Sequence, residues 1–167
     1  MVISGRTAAS LEEGLARIRV AGAAEAVQLD VSDREAVARV AEDIEQRHGR
    51  IDILVNSAGV NLAKRYLRNM TAQDWDRIVG VNLSGLFYCC FAVIRGMRAR
   101  KDGLIVNVSS WAGRHTSALV GPAYSASKRA VLAVTETINL EECTNGIRAT
   151  SIRATSILPG GFEAPGN

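Results

Sequence analysis

The chain has 167 residues, 47% of them hydrophobic, with 20 basic against 17 acidic side chains and a net charge of +3. That length and apolar content suit one globular domain with a real core. The basic residues are spread out apart from Arg95, Arg98, Arg100 and Lys101, which read as the solvated end of a helix. No aromatic residues interleave with them, so nucleic-acid binding is not expected. Cys89, Cys90 and Cys143 lack metal-ligand spacing, and His48 and His115 lie far apart, so no metal site is expected. The cysteines fit small buried hydrophobes in a reducing compartment. The longest uninterrupted apolar run, residues 86–94, is too short to span a bilayer, and the first residues show no secretory pattern. A cytoplasmic protein without membrane contact is the expectation.

In chain order, Val2-Ile3-Ser4 predicts a short strand. Leu11, Leu15 and Ile18 recur at helical spacing over residues 10–20. Residues 26–30 form a strand ending in the Asp30 carboxylate. Asp33 caps a helix whose apolar stripe is Val37, Val40, Ala41 and Ile44, with Gly49 past its end. Residues 51–55 predict a strand. Thr71 and Asp74 form a capping box with aspartate in place of glutamate, opening a long helix to about Arg98. Residues 104–108 are apolar enough for a strand buried on both faces. A helix follows over about 122–143, stopped by Asn145-Gly146, and a last strand begins at Ile147. This alternation predicts an α/β fold, a doubly wound parallel sheet with helices on both faces. Trp75 and Trp111 are read as packing residues.

Residues 147–151 (Ile-Arg-Ala-Thr-Ser) recur at once as residues 152–156. Five residues are too few for a structural repeat, and an odd insertion in a strand inverts which side chains face the core. The expectation is a duplication absorbed by a bulge or loop, or a sequence error.

The chemistry is carried by Tyr124-Ser125-Ala126-Ser127-Lys128. A tyrosine and a lysine four apart on a helix share one face. There an ammonium can stabilise a phenolate and pull the tyrosine from its ordinary pKa of about 10 toward useful proton transfer. Upstream, Val106-Asn107-Val108-Ser109-Ser110 reads as a buried strand ending in two hydroxyls. Together they point to carbonyl/alcohol redox chemistry.

In order, Leu29-Asp30-Val31, Asn56-Ser57-Ala58-Gly59, Val81-Asn82, Val108 to Gly113, Tyr124 to Lys128 and Pro159-Gly160 resemble the short-chain dehydrogenase/reductase family over nearly the whole chain. The resemblance implies a partial NAD(P)-binding Rossmann-like domain over residues 1–167. It implies Tyr124 as general acid/base, with Lys128 lowering its pKa and bonding the nicotinamide ribose. Ser110, rather than Ser109, would hold the substrate oxygen. Asn82, in a helix irregularity, would hold a water linking Lys128 to solvent. Asp30 and Val31 would contact adenine, Asn56 would steady the central strands, and Ala58 and Gly59 would let the cofactor approach the backbone. Pro159 and Gly160 complete the cofactor set. Arg6, with no acidic residue beside it, implies NADP, with NAD as the alternative. The implied partners are a small carbonyl or alcohol substrate and a second copy of the chain, through helices 71–98 and 122–143.

The sequence departs from that family at three points. The expectation is that the sequence begins after the family's opening strand and T-G-x-x-x-G-x-G turn, without the turn that would hold the pyrophosphate and without a central strand. The expectation is that the first two strands slide over to pair with the fourth family strand, or stay loosely attached. After Pro159-Gly160 little remains, and Ala164 stands where a threonine often sits. The spacing from Ser110 to Tyr124 is slightly long, which the loop around His115, Gly121 and Pro122 would absorb. Two alternatives to an active oxidoreductase follow: an impaired family member acting only through oligomer contacts, or an incomplete gene product. Residues 61–69 and 114–122 would line what remains of the substrate pocket.

Overall fold

The computed structural model describes residues 1–20 and 22–154. The elements alternate: β1 (Val2–Gly5), α1 (Ala8–Arg19), β2 (Glu25–Gln28), α2 (Arg34–His48), β3 (Ile53–Asn56), α3 (Ala72–Val79), α4 (Leu86–Arg100), β4 (Gly103–Ser110), α5 (Pro122–Glu142) and β5 (Ile147–Ala154). Every strand pairing is parallel: β1 with β2, β3 with β4, and β4 with β5. This is the Rossmann-like α/β arrangement.

Local signals set the helix ends. The Asp33 carboxylate accepts the Ala36 N–H at the start of α2, and Gly49 closes that helix at φ 78°. Thr71 and Asp74 complete a reciprocal capping box on α3. Past α5, Gly146 turns the chain at φ 73°, where a Cβ would also overlap the Lys101 carbonyl.

The core lies between β4, β5, α4 and α5. Leu86, Cys90, Val93 and Met97 from α4 meet Ile105, Val131, Ile138 and Ile147. The stretch Ala72–Arg100 is long and apolar enough to cross a membrane by length and composition, with a mean hydropathy of 1.7. Part of this apolar surface, Leu86, Cys90, Val93 and Met97, is buried in the core, whereas Phe87 and Phe91 are exposed.

The strands do not form one sheet. β1 and β2 make a two-stranded sheet, and β3, β4 and β5 a separate one. The first two strands therefore do not slide across to pair with β3. Neither does that half hang free. α2 packs on α4, and a Cβ on Gly85 would stand 2.7 Å from Val31 Cγ2 and 2.9 Å from its carbonyl oxygen. These contacts tie the β1–β2 half to the rest of the molecule. A cleft of about 1220 Å³ opens between the two sheets, and Ile53 and Val55 of β3 are 58% and 56% exposed.

The tandem repeat is resolved without a bulge among the described residues. β5 runs in unbroken register with β4 from Ile147 opposite Gly103 to Ala154 opposite Ser110. Residues 152–154 of the second copy prolong the strand, because β4 is long enough to pair with them. The odd offset has its expected consequence: Ile147 is buried in the core, whereas its copy Ile152 is exposed, as period-two alternation requires.

Glu142 ends α5 fully buried, with Arg98 Nε donating to its Oε2 at 2.7 Å and Asn145 Nδ2 at 2.9 Å. The Arg98 guanidinium, helped by Asn145, holds the Glu142 carboxyl below the usual carboxylate range despite burial. A depressed carboxyl contributes stability above its unfolded value of about 4.3, and that contribution is lost as pH falls through the lower folded value. Arg98→Met is expected to lower the melting temperature at neutral pH and to move acid unfolding to higher pH. The gap from the parent should narrow below about pH 4 as Glu142 is protonated. Melting curves by circular dichroism across acid to neutral pH check this.

Candidate active site

The site gathers at the ends of β3 and β4, against the first turns of α5. Between α3 and α4 the helix widens into a π-helical turn, Gly80–Gly85, which turns Asn82 inward; such turns often occur at functional sites. Asn82 Oδ1 accepts the Val60 N–H at 2.7 Å, and its Nδ2 donates to the Val60 carbonyl at 3.0 Å and to Ser127 Oγ at 3.3 Å. Ser127 Oγ in turn donates to the Tyr124 carbonyl at 2.8 Å. The loop after β3 and the first turns of α5 are thereby tied through one asparagine.

Lys128 is 4% exposed. Its ammonium lies 5.8 Å from the Tyr124 ring centroid and donates to the Val108 carbonyl at 2.9 Å. Burial pushes that ammonium below the usual lysine range. One of its three N–H donors is engaged by Val108, and among the described residues no carboxylate pairs with it.

The two serines ending β4 point to different tasks. Ser109 is buried, and its hydroxyl donates to the Lys128 carbonyl at 2.9 Å. Ser110 is half-buried and its Oγ accepts the Ala112 N–H at 3.2 Å, capping a 3₁₀ turn at Trp111–Gly113. A Cβ on Gly113 would stand 2.6 Å from the Lys128 carbonyl, so the absence of a side chain there lets the end of β4 approach α5. Trp111 and Trp75 are corrected from the sequence reading: both are exposed. Trp111 instead stacks on His115 with centroids 4.7 Å apart, because its turn projects from the end of the sheet.

The other candidate residues fall as follows. Asn56 ends β3 and donates through Nδ2 to Asn107 Oδ1 at 2.9 Å, and Asn107 donates to Thr135 Oγ1 at 2.9 Å. Ala58 and Gly59 lie on the loop that follows; a Cβ on Gly59 would be 3.4 Å from Lys128 Nζ and 3.6 Å from Asn82 Oδ1. Arg6 follows β1, exposed, and its charge helps hold the Asp30 carboxyl down. The larger cause is Ser32, whose N–H and hydroxyl both donate to Asp30 Oδ1, at 2.9 and 2.6 Å. Asp30 thus also shapes the turn into α2. Val31 packs on Gly85. Pro159, Gly160 and Ala164 lie outside the described residues. The two pocket loops meet: Asn61 Nδ2 donates to the Val120 carbonyl at 3.1 Å and Arg65 Nε to the Leu119 carbonyl at 2.6 Å.

Ser127, Asn107 and Thr135 were not singled out in the sequence. The available signal was polarity at buried positions: Asn107 interrupts an apolar strand, while Ser127 and Thr135 lie on the inner face of α5.

A dinucleotide fits this arrangement in one half only. The open backbone at Gly59 beside a buried lysine with uncommitted donors suits a ribose and a flat ring. Among the described residues no glycine-rich turn presents N–H groups for a pyrophosphate. The turn from β1 to α1 instead pairs Thr7 Oγ1 with Ser10 Oγ at 2.7 Å.

A short chain dehydrogenase family model matches residues 1–166, and the chain belongs to that family. It is 37% identical over 138 residues to a 3-oxoacyl-acyl-carrier-protein reductase of Thermotoga maritima, covering 82% of this chain and 53% of that protein. It is also 37% identical over 139 residues to a 2-dehydro-3-deoxy-L-rhamnonate dehydrogenase (NAD(+)) of a Sphingomonas species, covering 83% and 53%. A metagenomic short-chain oxidoreductase solved in complex with NADP superposes with a TM-score of 0.86 at 32% identity, over 93% of this chain and 71% of that one. The chain spans about half the length of the curated relatives it matches.

Proposed function

We propose that residues 1–167 form a partial NAD(P)-binding domain of an oxidoreductase that interconverts a ketone and a secondary alcohol. The observation that carries this reading is the constellation of Asn82, Tyr124 and Lys128 around the open backbone of Gly59. Tyr124 Oη passes a proton to or from the substrate oxygen, and Ser110 Oγ holds that oxygen. Lys128 places its ammonium 5.8 Å from the Tyr124 ring centroid and has N–H donors to spare for a ribose. Asn82 fixes the loop at Val60 and keeps Lys128 in reach of water. Bound NADP(H) supplies or accepts the hydride. Arg6 beside Asp30 favours a 2′-phosphate and hence NADP; the metagenomic relative was solved with NADP, and the Sphingomonas relative is named for NAD(+). Cys89 and Cys90, free thiols pushed up to about 11 and about 12 by burial, suit a reducing cytoplasm.

With no pyrophosphate cradle among the described residues, the 167-residue chain is expected to bind NADPH weakly and to turn over little. Titration calorimetry checks this: a shallow, unsaturated isotherm is expected, and saturation at micromolar NADPH would overturn it.

A second reading, a chain acting through oligomer contacts, is favoured by the apolar surface of α4 and α5. Phe91 is 70% exposed and stacks on the exposed Phe87 at 5.9 Å, and Leu140 of α5 is exposed too. Light scattering on a size-exclusion column decides it; a clean monomer at high concentration argues against self-association.

A further inference from the structure

The two loops on the substrate side of the site differ in charge from the rest of the chain. Residues 53–73 and 103–135 supply β3, β4, both loops and the first turns of α5. They contain six of the 20 basic side chains and none of the 17 acidic ones. The remainder of the chain is therefore net acidic, and a surface shaped only for solubility would mix both signs here as it does elsewhere. Lys64, Arg68 and Arg114 are exposed on the loops. Lys64 is partly answered by Asp74, whose carboxyl is held down chiefly by Thr71 and further by Lys64. Among the described residues no carboxylate pairs with Arg68 or Arg114. The backbone beneath them is braced. Arg129 Nε and Nη2 donate to the carbonyls of Gly113 and Arg114 at 3.1 and 2.9 Å, and a Cβ on Gly121 would overlap the Arg65 carbonyl. The Arg68 guanidinium lies over the Tyr66 ring, 5.3 Å from its centroid. The loop with Arg114 joins Ser110 to Tyr124, and the loop with Arg68 leaves Val60, which Asn82 holds.

We infer that this rim recognises an oxyanion, a carboxylate or phosphate carried by the substrate beside its reacting carbonyl, with Arg68 and Arg114 as the charges that select it. A guanidinium fork matches either group at two points. A rim of one sign also raises the local concentration of anions and speeds their capture. Bracing of the Arg68 side chain on Tyr66, and of the Arg114 backbone by Arg129, leaves less freedom to be lost on binding. The 2′-phosphate of the proposed cofactor falls at Arg6 beside Asp30, on the β1–β2 half, and leaves the charge of this rim unanswered. The substrates so selected are oxo acids or phosphorylated ketones rather than neutral ketones. The inference rests on the redox reading for the carbonyl at Ser110 and Tyr124; the charge and bracing of the rim do not depend on it.

The test is a titration of the full 167-residue chain, followed by the amide chemical shifts of residues 61–69 and 114–121. The probes are 4-oxopentanoate, its uncharged methyl ester, hydroxyacetone phosphate and pentanoate. Both oxo anions are expected to shift the two loops saturably, and the tighter one assigns the headgroup. The ester should bind about tenfold more weakly than the acid, or worse. Replacing both arginines, Arg68→Gln with Arg114→Gln, should weaken the acid by about threefold or more. The charge-matched control, Arg19→Gln with Arg39→Gln on the acidic side of the molecule, should change it by less than about twofold. All four arginines are exposed, so melting curves should show both variants folded. No saturable shift with either oxo anion, equal binding of acid and ester, or equal effects of the two double variants would overturn the inference. Pentanoate separates the two readings, since it keeps the carboxylate and lacks the carbonyl. Affinity equal to that of the oxo acid would count against a carbonyl site at Ser110 and Tyr124 and leave the anion site standing.

Discussion

Asn107→Ala is expected to lower the melting temperature by about 5–15 °C, the response of a chain this size to roughly 2–4 kcal/mol. Asn107 is wholly buried on β4. Its Oδ1 accepts from Asn56 at 2.9 Å and its Nδ2 donates to Thr135 at 2.9 Å, so one side chain joins β3, β4 and α5. Truncation strands the Asn56 amide in the core, beside only a weak sulfur acceptor, Cys90 Sγ at 3.3 Å. An orphaned buried donor costs more than the bond itself contributed. The double variant Asn56→Leu with Asn107→Leu removes both partners and should recover part of the loss. A double-mutant cycle by thermal or denaturant unfolding should therefore give a coupling of about 1–2 kcal/mol. Additive single effects would show that the two amides do not act as a unit.

Lys128→Met is expected to move stability and function in opposite directions. The ammonium is buried without a carboxylate partner, and methionine keeps the length while removing the charge. The melting temperature at neutral pH should rise by roughly 2–4 °C, corresponding to about 1 kcal/mol. The lysine's folded pKa lies below its unfolded value of about 10.4. The unfolded chain therefore holds more protons between those values, and the parent gains stability as pH rises through that window. The variant's advantage should shrink toward about pH 10, which melting curves at neutral and alkaline pH would show. The NADPH binding proposed for the parent should be lost. A variant less stable than the parent at neutral pH would mean that the Val108 hydrogen bond outweighs the desolvation of the charge.

Much of the local structure was legible in the chain. Asp33, Thr71, Asp74, Gly49 and Gly146 mark helix ends because caps and left-handed turns need those side chains at those positions. The spacing of Tyr124 and Lys128 on a helix, and the order of the motifs around them, identify the family and the pair that shares one face. The parity of the 147–156 repeat also follows from sequence, since strand alternation has period two. Ser127, Asn107 and Thr135 were less legible. Their importance comes from which partners they meet inside the fold, and partners distant in sequence leave no spacing signal.

Pairing across the sheet could only be settled in three dimensions. From the chain alone, β1 and β2 could have joined β3 or hung free. They are tied in by α2 on α4 and by Gly85 against Val31, contacts between segments tens of residues apart. Local propensity sets each strand and helix because neighbours along the chain determine backbone preference. The attachment of the two halves depends instead on close packing at a distance, which only the folded structure contains.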